Sequence, residues 1–412
     1  MALRLFSDWQ EGTTNAFVTI HSGFALNAFN IQIYAFIIPT LLGYWGLSHS
    51  QAGALASAAL FSSAFGGWFA GVLADRFGRI FVLKISILWF AIATCLCGIS
   101  SSYEQLFIAR VIQGLGFGAE IAIGTVFIGE VASAKCRSRT VGLAQSGWAI
   151  GWALAAVMSL TVTTMLPMET AWRVLFFIGV IPACFIFFYR HKLIASDLFK
   201  PGKANISWYS IFNKKICLTT VKGGLLAAGT HTGYWAIATW WPTMLLSEQG
   251  LTLIQSGSNL AALISGSFFG YVIGSHLGDK FGRRFTLSCF ALSGISLVLL
   301  YSLVPTVNMS FAILSFPLGF VATGMYGVIG SILVELYPTE LRGSGLGFCY
   351  NFGRGVAGMA PAVIGILSAS IGVGNAIALY VVIAYGIVLI VAFLLPETRG
   401  ISLINLQDMP KD

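Results

Sequence analysis

Apolar residues fill the chain in runs of about 20, broken by short polar stretches, from near residue 17 to residue 395. A run of that length is what a helix needs to cross roughly 30 Å of hydrocarbon at about 1.5 Å per residue. None shows the alternation over about 10 residues that marks a transmembrane barrel strand. Twelve helical spans are predicted, over 17–44, 52–73, 83–100, 105–129, 140–164, 171–189, 217–245, 254–275, 285–304, 309–334, 344–371 and 373–395. The longest polar interval, Arg190 to Lys215, divides them six and six.

Internal repeats support that division. GVLADRFGRI (71–80) returns as SHLGDKFGRR (275–284), so that Asp75 matches Asp279 at an offset of 204. EVASAKCRSR (130–139) returns as ELYPTELRGS (335–344) at an offset of 205, which aligns Glu130 with Glu335 and Arg137 with Arg342. The predicted fold is an all-α integral membrane protein, with twelve transmembrane helices in two six-helix halves related by pseudo-two-fold symmetry. Parallel halves of this kind place a substrate site between them, near the bilayer midplane, and rock about it.

Composition agrees. Of 412 residues, 57% are hydrophobic and 9% charged, with a mean hydropathy of +0.84, against about 25% charged residues in a soluble domain. A net charge of +8 could suggest nucleic acid, but the cations are sorted by side. With the N-terminus in the cytoplasm, 20 of the 23 Lys and Arg fall in cytoplasmic segments or at their helix junctions, Arg110, Arg173 and Arg354 being the exceptions. That is the positive-inside pattern. It points to the lipid bilayer as partner, not nucleic acid, and to a multi-pass protein of the cell (inner) membrane with both termini cytoplasmic. The seven cysteines form no C-x-x-C pair, so neither disulfide, metal site nor cofactor is expected. The first 16 residues are too polar for a secretory signal. The expected organisation is a cytoplasmic segment 1–16, a helical half 17–189, a central loop 190–216, a second half 217–395 and a tail 396–412, acting as a monomer.

These repeats and the motifs that follow resemble those of the major facilitator superfamily. G-x-L-A-D-R-x-G-R (71–79) is similar to the family's signature loop, R-x-x-Q-G-x-G-x-G (110–118) to its fourth-helix motif, and PETRG (396–400) to the sugar-porter ending. LNAFNIQIYAF (26–36), AWRVLFFIGVIP (171–182) and YNFGRGVAGMAP (350–361) resemble the proton-coupled organic-acid symporters of the aromatic-acid and sialate or lactate branches. The resemblance implies that Gly71, Asp75, Arg76, Gly78 and Arg79, with Asp279, Lys280, Gly282 and Arg283 in the second half, latch the halves in the outward-facing state. Ser275 departs from that pattern at the first glycine of the second copy. Read without the resemblance, both loops are turns carrying positive-inside anchors.

Ionisable residues inside spans are few, and each is a functional candidate. Glu120 stands about halfway along the fourth span and is either a proton-loading group or a neutral side chain bonded to a neighbouring helix. Arg354, on the eleventh span, offers a planar fork to a carboxylate; its alternatives are a partner for Glu120 or a snorkelling residue. Arg110 and His231 are further candidates for proton coupling, Arg110 by resemblance and His231 because imidazole titrates near neutrality; the competing readings are a structural role for Arg110 and a hydrogen-bonded packing residue for His231. Asn27, Asn30 and Tyr34 form one stripe on the first span, expected to face the cavity, where the resembled symporters carry a pair of aspartates. Asn351, Tyr234, Trp235 and Gln145 complete the expected substrate contacts, with ordinary packing as the competing reading of each stripe.

These residues point to proton-coupled import of a small monocarboxylic or aromatic acid by alternating access. A uniporter or antiporter of sugars or drugs on the same fold is the alternative, favoured a little by PETRG. An enzyme is not expected: the chain has no H-E-x-x-H or G-x-S-x-G motif, and no G-x-x-x-x-G-K-[ST] run for ATP.

Overall fold

In the computed structural model the chain is described over residues 13–47, 49–189, 209–247, 253–303 and 310–403. Residues 1–12, most of the predicted central loop (190–208) and the end of the tail (404–412) lie outside the described residues. Among the described residues there are fifteen α-helices and no strand. The first half holds α1 (Thr13–Trp45), α2 (His49–Phe77), α3 (Arg79–Ile99), α4 (Tyr103–Val131), α5 (Arg137–Gln145), α6 (Gly147–Met165) and α7 (Met168–Tyr189). The second holds α8 (Cys217–Ser247), α9 (Leu253–Phe281), α10 (Arg283–Leu303), α11 (Ser310–Gly324), α12 (Tyr326–Glu335), α13 (Arg342–Ala357), α14 (Ala360–Ile371) and α15 (Val373–Leu394). Eight helical stretches of the described residues are long and apolar enough to cross a membrane.

Over the described residues every predicted span is helical, and three are interrupted. The fifth divides into α5 and α6 at Ser146, the tenth into α11 and α12 at Met325, and the eleventh into α13 and α14 at Gly358 and Met359. Broken helices inside a membrane are tolerated where protein surrounds them or where they line a cavity. The breaks at Ser146 and Met325 fall within two residues of Trp148 and Tyr326, which both face the cavity described below.

Glycine sets the closest packing. A Cβ added at Gly118 on α4 would lie 1.9 Å from the Ser63 carbonyl of α2, and one at Gly114 would lie 2.2 Å from that of Ala59. The second half repeats this between α11 and α9, where a Cβ at Gly319 would meet the Leu263 carbonyl at 2.1 Å. Backbones approach this closely only where side chains vanish, which is how small residues hold membrane helices together. The two signature loops also match: Gly78 and Gly282 have φ of 100° and 101°, values that only glycine adopts without strain.

The halves meet along two equivalent seams. On one, α2 packs on α13, with Gly71 against the Gly343 carbonyl; on the other, α9 packs on α5, with Gly142 against Ser275.

Candidate functional site

Between the halves lies a small cavity. Phe24 of α1, Ile121 of α4 and Trp148 of α6 line it from the first half. The second half adds His231, Tyr234 and Trp235 of α8, Tyr271 of α9, Tyr326 of α12, and Tyr350 and Arg354 of α13. Its free volume is about 20 Å³, room for roughly one water and far below the roughly 300–1,000 Å³ of a typical ligand cleft. The cavity is filled by its own side chains.

Arg354 dominates its electrostatics. The side chain is 3% exposed, donates from Nη1 to Asn351 Oδ1 at 2.8 Å, and lies over the rings of Phe117 and Tyr350 at 4.4 and 5.3 Å. Among the described residues no carboxylate pairs with it. Ring faces offset the burial of a cation only in part, by about 0.5–2 kcal/mol each, whereas leaving a buried charge uncompensated costs several kcal/mol.

The aromatic lining is locked in place around this charge. Trp148 Nε1 donates to the Tyr234 hydroxyl at 3.1 Å, across the two halves. The His231 ring stands edge-on to Tyr326 at 4.9 Å and to Tyr350 at 4.5 Å. His231 Nδ1 lies 2.9 Å from the Ala227 carbonyl, while its Nε2 has no hydrogen-bond partner among the described residues.

Of the residues expected to touch substrate, Arg354, Tyr234 and Trp235 line this cavity. The others lie buried outside its lining. Asn351 positions Arg354 and packs on Gly67. Asn30 donates to the carbonyls of Leu26 and Gly179 at 3.0 and 3.4 Å, which turns it toward α7. Tyr34 donates to the Ala52 carbonyl at 2.7 Å. Asn27 and Gln145 are buried with both amide atoms unpartnered among the described residues.

The proton-coupling candidates are likewise spread out. Glu120 accepts a hydrogen bond from Ser86 of α3 at 2.9 Å, although its neighbour Ile121 faces the cavity. Arg110 lies over the Tyr34 ring at 4.3 Å and donates to Gln113 Oε1 at 2.7 Å; Gln113 in turn donates to Thr94. Only His231 of the three borders the cavity.

A second site lies at the end of the bundle that carries the signature loops. Asp75 accepts from the backbone N–H of Gly343 at 2.9 Å and of Ser344 at 2.6 Å, the second and third residues of α13. Asp279 accepts from Ser138 at 3.0 Å and Arg139 at 2.8 Å, the second and third residues of α5. Each signature carboxylate therefore caps a helix of the opposite half, satisfying donors that the helix itself cannot and meeting its positive end. Arg79 pairs with Asp75 and with Glu130, which also accepts from Arg342 of the other half at 2.9 Å. Arg283 pairs with Asp279 and with Glu335, which accepts from Arg137 at 2.9 Å. Thr398 and Glu397 of PETRG complete this cluster: Thr398 Oγ1 donates to Glu335, and Glu397 accepts from the backbone N–H of Arg283. Arg76 and Lys280 stand apart, stacked on Phe77 and Phe281.

Glu130, Glu335, Arg137 and Arg342 belong to this charge cluster, and none of them is among the latch residues that the resemblance implies. The signal was present in the second repeat, where all four positions align. Tyr271, Tyr326 and Tyr350 were also missed, because single tyrosines in apolar helices carry no pattern of their own.

Two interlocked helical halves around a central cavity define a multi-pass membrane transport protein, not an enzyme. Comparison with known proteins agrees: residues 6–206 match the family model "Sugar (and other) transporter", and residues 223–405 match "Major Facilitator Superfamily". The chain belongs to the major facilitator superfamily. It is 38% identical to a probable 4-methylmuconolactone transporter of Cupriavidus pinatubonensis over 95% of this chain and 92% of that protein. It is 29% identical to the cis,cis-muconate transport protein of Acinetobacter baylyi over 87% of this chain and 89% of that one. In fold it is similar to the proton:xylose symporter XylE, with a TM-score of 0.82 at 18% identity, over 97% of this chain and 99% of that one.

Proposed function

We propose that this protein imports a small organic acid, a monocarboxylate or aromatic acid, together with protons, by alternating access across the cell (inner) membrane, with both termini in the cytoplasm and as a monomer. The observation that carries the reading is Arg354: a buried guanidinium without a carboxylate partner among the described residues, in a cavity walled by aromatic rings from both halves. A carboxylate supplies the absent charge, and flat rings suit a planar body. A sugar would leave Arg354 uncompensated. The relatives named for transport of methylmuconolactone and muconate favour an organic acid as well.

The latch fits the same cycle. With the charge clusters joined, the end that carries the signature loops is shut. Opening it toward the cytoplasm requires Asp75 and Asp279 to leave the helix ends they cap, and the two glutamates to part from the opposite half. Coupling to protons needs a titratable group within the spans, and of the candidates Glu120, Arg110 and His231 it is His231 that borders the cavity.

The test is uptake of labelled benzoate, lactate and muconate into proteoliposomes, with and without an inward proton gradient. Accumulation of at least one acid above equilibrium, only with the gradient, is expected; uptake indifferent to it would rule out proton symport.

A further inference from the structure

We propose that His231 is the site at which the transported proton is carried, and that it takes up this proton in response to the anion bound at Arg354. The inference rests on reading the cavity as an organic-anion site, and it names the coupling group within that reading.

Four observations lead to it. The first-span positions where resembled symporters have aspartates are Asn27 and Asn30, which cannot titrate. Glu120 is bonded to Ser86 of α3, and it is Ile121, beside it in sequence, that lines the cavity. His231 lines the cavity directly. Its Nδ1 faces a carbonyl, which can only accept, so Nδ1 carries the hydrogen; in the neutral ring Nε2 is then a bare acceptor. That Nε2 is buried and without a partner among the described residues, so a proton placed there has an open seat.

The neighbours of the ring determine when the seat fills. Its own helix contributes Tyr234, α9 contributes Tyr271, α12 contributes Tyr326, and α13 contributes Tyr350 and Arg354; among these lining groups Arg354 is the only fixed charge. Tyr350 touches both partners, edge-on to His231 and beneath the Arg354 guanidinium. Two cations sharing one low-dielectric cavity repel strongly. A carboxylate on Arg354 cancels that repulsion, and the proton can then pass from external water to Nε2, leaving for internal water once the anion departs. The net charge of Arg354, His231 and ligand is the same when the site is empty as when it holds one anion and one proton. The loaded and empty carriers therefore cross with equal charge, so transport of a monocarboxylate is electroneutral. Linkage makes the effect reciprocal: if the anion favours the proton, the proton favours the anion equally.

The experiment is equilibrium binding of labelled benzoate to the full-length protein in nanodiscs across about pH 5 to 8, the range of histidine titration. In the wild type, affinity should rise as pH falls, approaching about tenfold per pH unit where a full proton is taken up. His231→Gln, whose amide stands in for Nε2, should bind benzoate with no such slope, and Glu120→Gln should keep the slope. His231→Asn, which stands in for Nδ1, serves as a second variant, and gel filtration verifies that both fold. A slope that survives both histidine substitutions, or one abolished by Glu120→Gln, would overturn the assignment to His231. A wild type that binds benzoate with no slope would overturn it as well. Benzoate binding that is absent from the wild type, or unchanged in Arg354→Gln, would instead refute the anion site itself.

Discussion

Replacing Arg354 by glutamine is expected to lower uptake of the transported acid by about a hundredfold, with the protein still folded. Losing one partner of a buried, hydrogen-bonded charge pair costs about 2–5 kcal/mol, and a factor of ten corresponds to about 1.4 kcal/mol. A hundredfold loss corresponds to about 2.8 kcal/mol, in the lower half of that range. Folding should survive because Arg354 has no carboxylate partner among the described residues, so its removal strands no buried anion there. Arg354→Lys keeps the charge but loses the planar fork that donates to Asn351 Oδ1. It should retain part of the activity, with a loss of about tenfold. Initial rates in proteoliposomes, normalised to folded protein, check both values; wild-type rates in Arg354→Gln would remove the guanidinium from the site.

The second large effect is expected at the latch. Glu335 accepts from Arg283 and Arg137 at 2.9 Å each, and it is 1% exposed. Glu335→Gln leaves two buried guanidiniums facing a neutral amide, and breaking a buried pair in this way costs about 3–5 kcal/mol. A shift of about 5.5 kcal/mol moves a two-state equilibrium from 99:1 to 1:99, so this single change should nearly overturn the closed state. Cys136 gives a native reporter, because it is buried beside Arg137 at the seam. In a background lacking the other cysteines, Glu335→Gln should speed labelling of Cys136 by an impermeant maleimide by well over about tenfold, since about 3 kcal/mol raises the open-to-closed ratio more than about a hundredfold. Labelling at the wild-type rate would show that the cluster does not hold the halves together. Glu130→Gln is expected to act in the same direction, since Glu130 occupies the equivalent place with Arg342 and Arg79.

Much of the architecture was legible because it rests on local rules. Span length follows from bilayer thickness, and the offsets of 204 and 205 follow from duplication. The glycines at 78 and 282 announce turns that other residues cannot make without strain. The interruptions at Ser146 and Met325 were not legible, because the local pattern does not mark them and they fall beside Trp148 and Tyr326 of the cavity lining, whereas that at Gly358 carries a local mark, Pro361 in the first turn of α14. The site was legible where a residue was out of place in its surroundings: Arg354 stands out as a charge in an apolar helix. Tyr350 and Tyr326 do not, since an aromatic at helical spacing is ordinary packing until tertiary structure gathers several around one cavity. The latch shows the limit most clearly. Asp75 and Ser344 are 269 residues apart, and their hydrogen bond exists only because the halves dock with α2 against α13. The repeats revealed that both motifs matter, but not that each reaches for the other half.

The central claim is that the charge of the ligand, set against Arg354, governs binding. Benzoate and benzamide have nearly the same shape and differ in that charge, so competition of each against labelled benzoate on the purified protein tests the claim most directly. Benzoate should compete, and benzamide should be weaker by about a hundredfold, the same electrostatic contribution that Arg354→Gln removes. Benzamide competing as well as benzoate would contradict it.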